Sequence, residues 1–376
     1  MTTTPRTQDV PASRLETGDF LASIDPHDLV HFVVNVGDGD TQLLLLPEEN
    51  GSRKAIVVDV VSGGKLEMLI EALQEQGVLG NGAGTLAIVV ATHPHADHIS
   101  GMAKFLTNQS ALVDEFWDSG YCLATPTYFN LMDALAGIPG VAHSQPASGT
   151  IRFVDQVKVT VLAPAISLKN RYDSYGIDVN NSSIAMRIDF PARRYYKRNE
   201  DGSYQQLPKG ASLILGADAQ TLSWSHVMVD FPCLGPDDSA VAKALKKARG
   251  VEPLRANVFK VAHHCSKHGL NLELIEEIKP NISLISSVRE GGKYNFPHMV
   301  SLEALREGLE PTAKKGIKHD EDYELGIHFT AGRDDADANL GTIAVVLGPT
   351  GSKRVVWRFG DTPSEDIDLS KARKFD

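Results

Sequence analysis

Thr85-Leu86-Ala87-Ile88-Val89-Val90-Ala91-Thr92-His93-Pro94-His95-Ala96-Asp97-His98 decides how this chain is read. The first half is a continuous apolar, β-branched run of the kind that forms a strand buried on both faces. The second half places three imidazoles and a carboxylate where that strand ends. Alternate residues of an extended segment share a side, so His93 and His95 can hold one ion while the turn that follows presents Asp97 and His98 to a second. Imidazole suits zinc, iron or manganese, and the added carboxylate favours an ion that activates water over one stored for structure.

The rest of the chain supplies a scaffold for that loop. With 376 residues and 42% hydrophobic content, a sizeable core can form, as two domains or one large α/β domain. Residues 31–36 and 42–46 read as strands around the turn Gly37-Asp38-Gly39-Asp40, residues 55–60 as a strand with Asp59 at its end, and residues 66–76 as a helix. Strands and helices continue to alternate in two halves, which predicts a sandwich of two sheets with helices outside. The expected organisation is a flexible leader over 1–26, one domain over 27–363 with a polar surface insertion at 310–339, and a polar tail over 364–376. The basic, aromatic stretch at residues 193–198 reads as an exposed hairpin tip whose charge guards against edge pairing.

Cys122, Cys233 and Cys265 are too few and too scattered for a disulfide framework, so reduced thiols and a cytoplasmic setting are expected. No apolar run approaches the roughly 20 residues of a membrane span, and the start of the chain lacks the pattern of a secretory signal. A formal net charge of −11 repels a polyanion from the body of the molecule, leaving local contacts only.

Further ligand candidates stand at strand ends. Residues 212–215 lead into Gly216-Ala217-Asp218, from which a carboxylate can bridge two ions, and the apolar run 258–262 delivers His263 and His264, with His268 close behind. His298 follows the strand ending near Ser286. Histidines ending separate strands point to one edge of a sheet, where α/β proteins place their sites. Adjacent His263 and His264 cannot both face the site from an extended strand, so one is expected to ligate and the other not.

His93, His95, Asp97 and His98 match the His-x-His-x-Asp-His signature of the metallo-β-lactamase superfamily, which the chain resembles. More narrowly it is similar to the metallo-hydrolase domain of bacterial DNA-uptake channel proteins and their free-standing relatives. That resemblance rests on residues 34–40, Leu162-Ala163-Pro164, Asn180-Asn181-Ser182-Ser183, Leu215-Gly216-Ala217-Asp218, His263-His264 with Ser266, and Asn295 to His298. It implies the αββα sandwich, with the site in the cleft between two mixed sheets. It also implies that Asp218 bridges the ions, that His263 is the terminal ligand of the second, that Asp59 orients a metal-bound histidine, and that His298 lies near substrate. Two departures stand out. Asn180 and Asn181 occupy the region from which most members supply a third histidine to the first ion, so the Asn181 amide oxygen or water is expected there; His143 is not recruited. Cys265 stands where relatives carry glycine and is read as buried and inert.

Two divalent ions, zinc first and manganese second, held by four histidines and two aspartates can activate a shared water, which implies hydrolysis. Neither a phosphate-cradling glycine loop nor a Ser-His-Asp arrangement is needed or found. The expected substrate is a phosphodiester in nucleic acid or a nucleotide. Asp97, His264 and His298 are the catalytic candidates, and Asn181, Ser266 and Lys267 the substrate-binding ones. A small ester, lactone or thioester is the alternative substrate, and a metal-binding partner protein with little turnover the alternative class. Nothing in the sequence identifies a protein partner, and no membrane partner is expected.

Overall fold

The computed structural model of the chain describes residues 12–173, 177–192, 196–206, 210–230, 240, 254–287, 294–309, 321–330 and 340–375. Part of the expected leader (1–11), part of the basic tip (193–195), Cys233, and most of the expected insertion (310–320 and 331–339) lie outside the described residues.

The chain lays down β1 (Leu15–Thr17), β2 (Leu29–Val33), β3 (Gln42–Leu45), β4 (Ala55–Val58), β5 (Leu86–Ala91), β6 (Val113–Asp118) and β7 (Ala142–Ser144) in one sheet. It crosses to a second sheet for β8 (Ile151–Val154), β9 (Val157–Ala163) and β10 (Ala185–Phe190). After a two-stranded hairpin of β11 (Tyr196–Arg198) and β12 (Tyr204–Gln206), the second sheet continues with β13 (Ala211–Leu215), β14 (Val258–Lys260), β15 (Ile282–Ile285) and β16 (Ile327–Phe329). β17 (Ile343–Leu347), β18 (Arg354–Arg358) and β19 (Arg373–Phe375) return to the first sheet. The spatial orders are β1-β19-β18-β17-β2-β3-β4-β5-β6-β7 and β16-β15-β14-β13-β10-β9-β8. Within them β4 to β7 run parallel, as do β13 to β16.

Period-two alternation sorts the apolar side chains into three layers. Ile56, Val58, Ile88 and Val90 from one sheet meet Val159, Ile188, Leu213 and Leu215 from the other in the middle layer. Val57 and Val89 point the opposite way, onto Leu66, Leu69 and Ile70 of helix Gly63–Glu75, Phe105 of helix Met102–Gln109 and Leu131 of helix Pro126–Ala136. Ile214 and Phe259 likewise face Trp224, Ile275 of helix Leu272–Ile278 and Leu302 of helix Met299–Leu309. The two mixed sheets flanked by helices are the αββα arrangement. No helix among the described residues is long and apolar enough to cross a membrane.

Residues 15–17, within the expected leader, and 373–375, within the expected tail, join the first sheet. β1 pairs antiparallel with β19, Leu15 opposite Phe375, and Phe20 is buried with its ring edge-on to Phe32, Trp357 and Phe359 at 5.7, 5.5 and 5.3 Å. Phe20 in one segment, and Ile367, Ala372 and half-buried Phe375 in the other, leave no periodic pattern, so the sequence does not announce these edge strands.

Candidate metal centre

β4 and β5 in one sheet and β13, β14 and β15 in the other end at a common edge, and the residues just beyond each strand meet there. Asp59, in a left-handed conformation at φ 57°, accepts hydrogen bonds from the Thr92 amide and hydroxyl, both at 2.8 Å, and faces His98 Nδ1 at 2.7 Å. That contact turns His98 Nε2 toward Asp218 Oδ1, 3.2 Å away. A carboxylate behind a ligating imidazole fixes its ring and its tautomer, which is the role implied for Asp59. His93 Nε2 lies 3.7 Å from Asp218 Oδ2 and 3.0 Å from His95 Nδ1.

Asp218 reaches the centre because Gly216 and Ala217 bend the chain sharply after β13. A Cβ on Gly216 would come within 2.9 Å of Ala262, so glycine is required, and Ala217 has φ 45°. Beyond β14, His263 and His264 are not extended; both have positive φ, 50° and 51°, as does Cys265 at 64°. Left-handed conformations of non-glycine residues cost of order 1–3 kcal/mol each and gather at functional sites. The expectation that only one of the two histidines faces the site therefore fails. His264 Nε2 is 3.6 Å from Asp218 Oδ1, with Nδ1 set by the Ser286 carbonyl at 2.5 Å, and His263 Nε2 is 3.5 Å from Asp218 Oδ2.

Two ligand sets emerge, each with its donor atoms within 4.8 Å of one another. One is His93, His95 and Asp218; the other is Asp40, His98, Asp218 and His264. His98 Nε2, Asp218 Oδ1 and His264 Nε2 are buried and make no hydrogen bond. Buried polar atoms are nearly always hydrogen-bonded, and cations bound by these three lone pairs would satisfy them together, so the residues fit divalent ions. The electrostatics agree. Burial pushes His93 well below the usual imidazole range, helped by the charge of His98, so its lone pair is free for a metal. Burial works against ionisation of Asp218, but His98, His263 and His264 outweigh it and hold the carboxyl well below its usual range. Burial also works against a charge on His98, yet Asp218 and Asp59 lift it well above, so this side of Asp218 favours positive charge.

Other expected residues are placed differently. Asp97 is half-buried, close enough that its charge favours protonated His263, whose pKa burial lowers. The Asn181 amide oxygen accepts from Ser223 Oγ at 3.0 Å and from Ser223 N at 3.3 Å, and its Nδ2 faces Gln220 at 3.4 Å. It thus fastens helix Thr221–Asp230 through Ser223; Asn180 Oδ1, next to it, is buried without a hydrogen bond. Ser266 is buried, with Oγ 3.4 Å from the His268 amide, and Lys267 is exposed on the same turn. His298 is half-buried; its amide donates to the Cys265 carbonyl at 2.9 Å and its Nδ1 lies 3.4 Å from the Val300 amide. Burial pushes the Cys265 thiol up to about 12, in keeping with an inert cysteine. His143 pairs with Asp118.

Sequence reasoning missed three contributors. Asp40 sits in the Gly37–Asp40 segment, which is not an ordinary hairpin turn: the Asp40 amide donates to the Asp97 carbonyl at 3.0 Å, and a Cβ on Gly39 would meet that carbonyl at 2.7 Å. Lys260, on β14, is wholly buried with Nζ 2.8 and 2.9 Å from the two Asp40 oxygens. A lysine inside an apolar strand was the available signal, because a buried ammonium needs an anion. Phe296 stacks on His264, centroids 5.7 Å apart at 19°, and meets His263 edge-on at 5.3 Å.

No family model matches the chain. It is 23% identical over 287 residues to ComE operon protein 3 of Bacillus subtilis (strain 168), an alignment covering 73% of this chain and 30% of that protein. The chain therefore spans less than a third of its curated relative. The chain is also similar, at low identity, to solved structures with the metallo-β-lactamase fold. Solved structures similar to it include the metallo-β-lactamase fold protein YhfI from Bacillus subtilis, with 13% identity, a TM-score of 0.37, and coverage of 75% of this chain and 91% of that one. A diphosphatase of the PhnP family follows at 12% identity, TM-score 0.33, with 81% and 95% covered. A long-form RNase Z from yeast has 10% identity and a TM-score of 0.35, with 70% and 38% covered.

Proposed function

We propose that this αββα-sandwich protein is a metal-dependent hydrolase of phosphodiesters, acting on nucleic acid or a nucleotide. The observation that carries the metal-dependent part is the convergence of His98 Nε2, His264 Nε2 and Asp218 Oδ1, buried and without hydrogen bonds. Two divalent ions held there would supply Lewis acidity, the chemistry needed to polarise a phosphoryl oxygen and to make a water nucleophilic near neutral pH. His93, His95 and Asp218 would hold one, and Asp40, His98, Asp218 and His264 the other, with half-buried Asp97 close by. Asp59 and the Ser286 carbonyl orient the rings of His98 and His264.

The phosphodiester reading draws support from exposed Lys267 and His268, which place local positive charge and donors just past the ligand turn. In this reading Lys267 steers the phosphate, His298 protonates the leaving oxygen, and Ser266 shapes the turn between them. Protein purified without added metal should carry close to two equivalents of zinc or manganese. With either ion it should hydrolyse bis-p-nitrophenyl phosphate faster than p-nitrophenyl acetate, and Asp97→Ala or Asp218→Ala should abolish this while the protein still folds. Hydrolysis of the acetate alone would mark a small-ester hydrolase, and metal without turnover of either a metal-binding partner protein. Near wild-type turnover in both variants at saturating metal would exclude the two-ion mechanism.

A further inference from the structure

The bridging carboxylate of Asp218 has two oxygens, and the adjacent histidines divide between them. His264 Nε2 approaches Oδ1, which His98 Nε2 also approaches; His263 Nε2 approaches Oδ2, which His93 Nε2 also approaches. Successive residues of a strand could not do this, because their side chains leave on opposite faces. The left-handed turn at His263, His264 and Cys265 is what brings both rings to one carboxylate. Its strain is held in place by packing: Phe296 covers both rings, and the Ser266 amide donates back to the His263 carbonyl at 2.7 Å. Meanwhile the segment expected to give the first ion a third donor has its Asn181 oxygen occupied by Ser223.

We propose that the paired histidines serve different ions. His264 completes the ion held by His98, and His263 supplies the ion of His93 and His95 with the imidazole that residues 180–181 do not provide. The assignment rests on the dinuclear reading of the site. It also gives the local strain a purpose, since one turn of chain delivers a ligand to each half of the centre. Asn180, whose buried amide oxygen lacks a hydrogen bond, is the rival donor to the first ion.

Titration of metal-free protein with cobalt(II), followed by visible absorption and by metal content after gel filtration, tests the assignment without reference to catalysis. Wild-type protein should take up two equivalents. His93→Ala and His263→Ala should weaken the same step, by about 10–100-fold or more given what even an indirect partner of a ligand contributes. His98→Ala and His264→Ala should weaken the other, and Asn180→Ala neither. The double variant of His93 and His263 should lose that step alone. His263→Asn and His264→Asn serve as second variants, because asparagine tolerates the left-handed backbone and keeps the turn. If His263 variants weaken the step lost in His98→Ala, leave both steps unchanged, or are matched by Asn180→Ala, the allocation is wrong although the centre is dinuclear. Uptake of one equivalent by wild-type protein would instead overturn the dinuclear reading, and the allocation with it.

Discussion

Lys260→Met, which keeps the length of the side chain and removes its charge, isolates the support that the sandwich gives to the site. Lys260 and Asp40 are both fully buried, and Nζ sits 2.8 and 2.9 Å from the carboxylate oxygens. At that separation the Coulomb attraction is about 6 kcal/mol for an effective dielectric near 20. Much of it offsets the desolvation of the two ions, so the intact pair adds little net stability. Breaking it is another matter, because Asp40 would remain as an unpaired buried carboxylate beside Asp218, at a cost of roughly 3–5 kcal/mol. Burial opposes the charge of Asp40, and Lys260 is the first of the groups that hold its pKa below the usual range. Urea unfolding of the metal-free protein should therefore show that loss for Lys260→Met and a comparable one for Asp40→Asn. The double variant should be much less destabilised than the sum of the two, by about 2 kcal/mol or more. Added zinc should restore part of the stability of Lys260→Met, since a cation among Asp40, His98, Asp218 and His264 replaces the missing ammonium. Losses below about 1 kcal/mol with additive behaviour would refute the argument that the pair is a closed electrostatic unit under the metal centre.

Asp59→Ala should leave the fold intact but weaken metal binding by about 10–100-fold, because His98 loses the carboxylate that orients its ring; an unchanged titration would remove Asp59 from that role. Asn181→His should not tighten the first ion, and should lower stability by roughly 1–3 kcal/mol because the buried Ser223 amide loses its acceptor, while its hydroxyl keeps the Asn181 carbonyl; a tighter first step in the same cobalt titration would contradict this. His31, buried with Nε2 2.9 Å from the Gln42 amide oxygen, has its pKa lowered by burial to about 4. The unfolded chain takes up that proton first as the pH falls, so stability should be lost between about pH 6.5 and pH 4, amounting to roughly 2 kcal/mol from pH 7 to pH 5. His31→Gln should reduce the drop by that amount, and an identical pH profile would show that His31 is not the group responsible.

How far the sequence reveals such a site depends on whether a contribution is local. The run from Leu86 to His98 is legible because strand and ligands are contiguous, and the same holds for the strands that deliver Asp218 and the histidine pair. The alternation of Ile56 and Val58 against Val57 makes the layers legible for a similar reason, since period-two patterning is written residue by residue. Asp40 and Lys260 are separated by 220 residues, and only the closing of the two sheets brings them together. Each alone reads as a turn aspartate or a strand lysine. The histidine pair shows a subtler limit: its identity as a ligand segment is plain, but its geometry turns on three φ angles of a sign that L residues rarely adopt. An extended reading of those residues assigns one histidine to the metal and leaves the first ion short of a donor. In the proposed allocation the left-handed turn removes the shortage without a residue from anywhere else, which gives a role to histidine at both 263 and 264 in a chain with asparagine at 180 and 181.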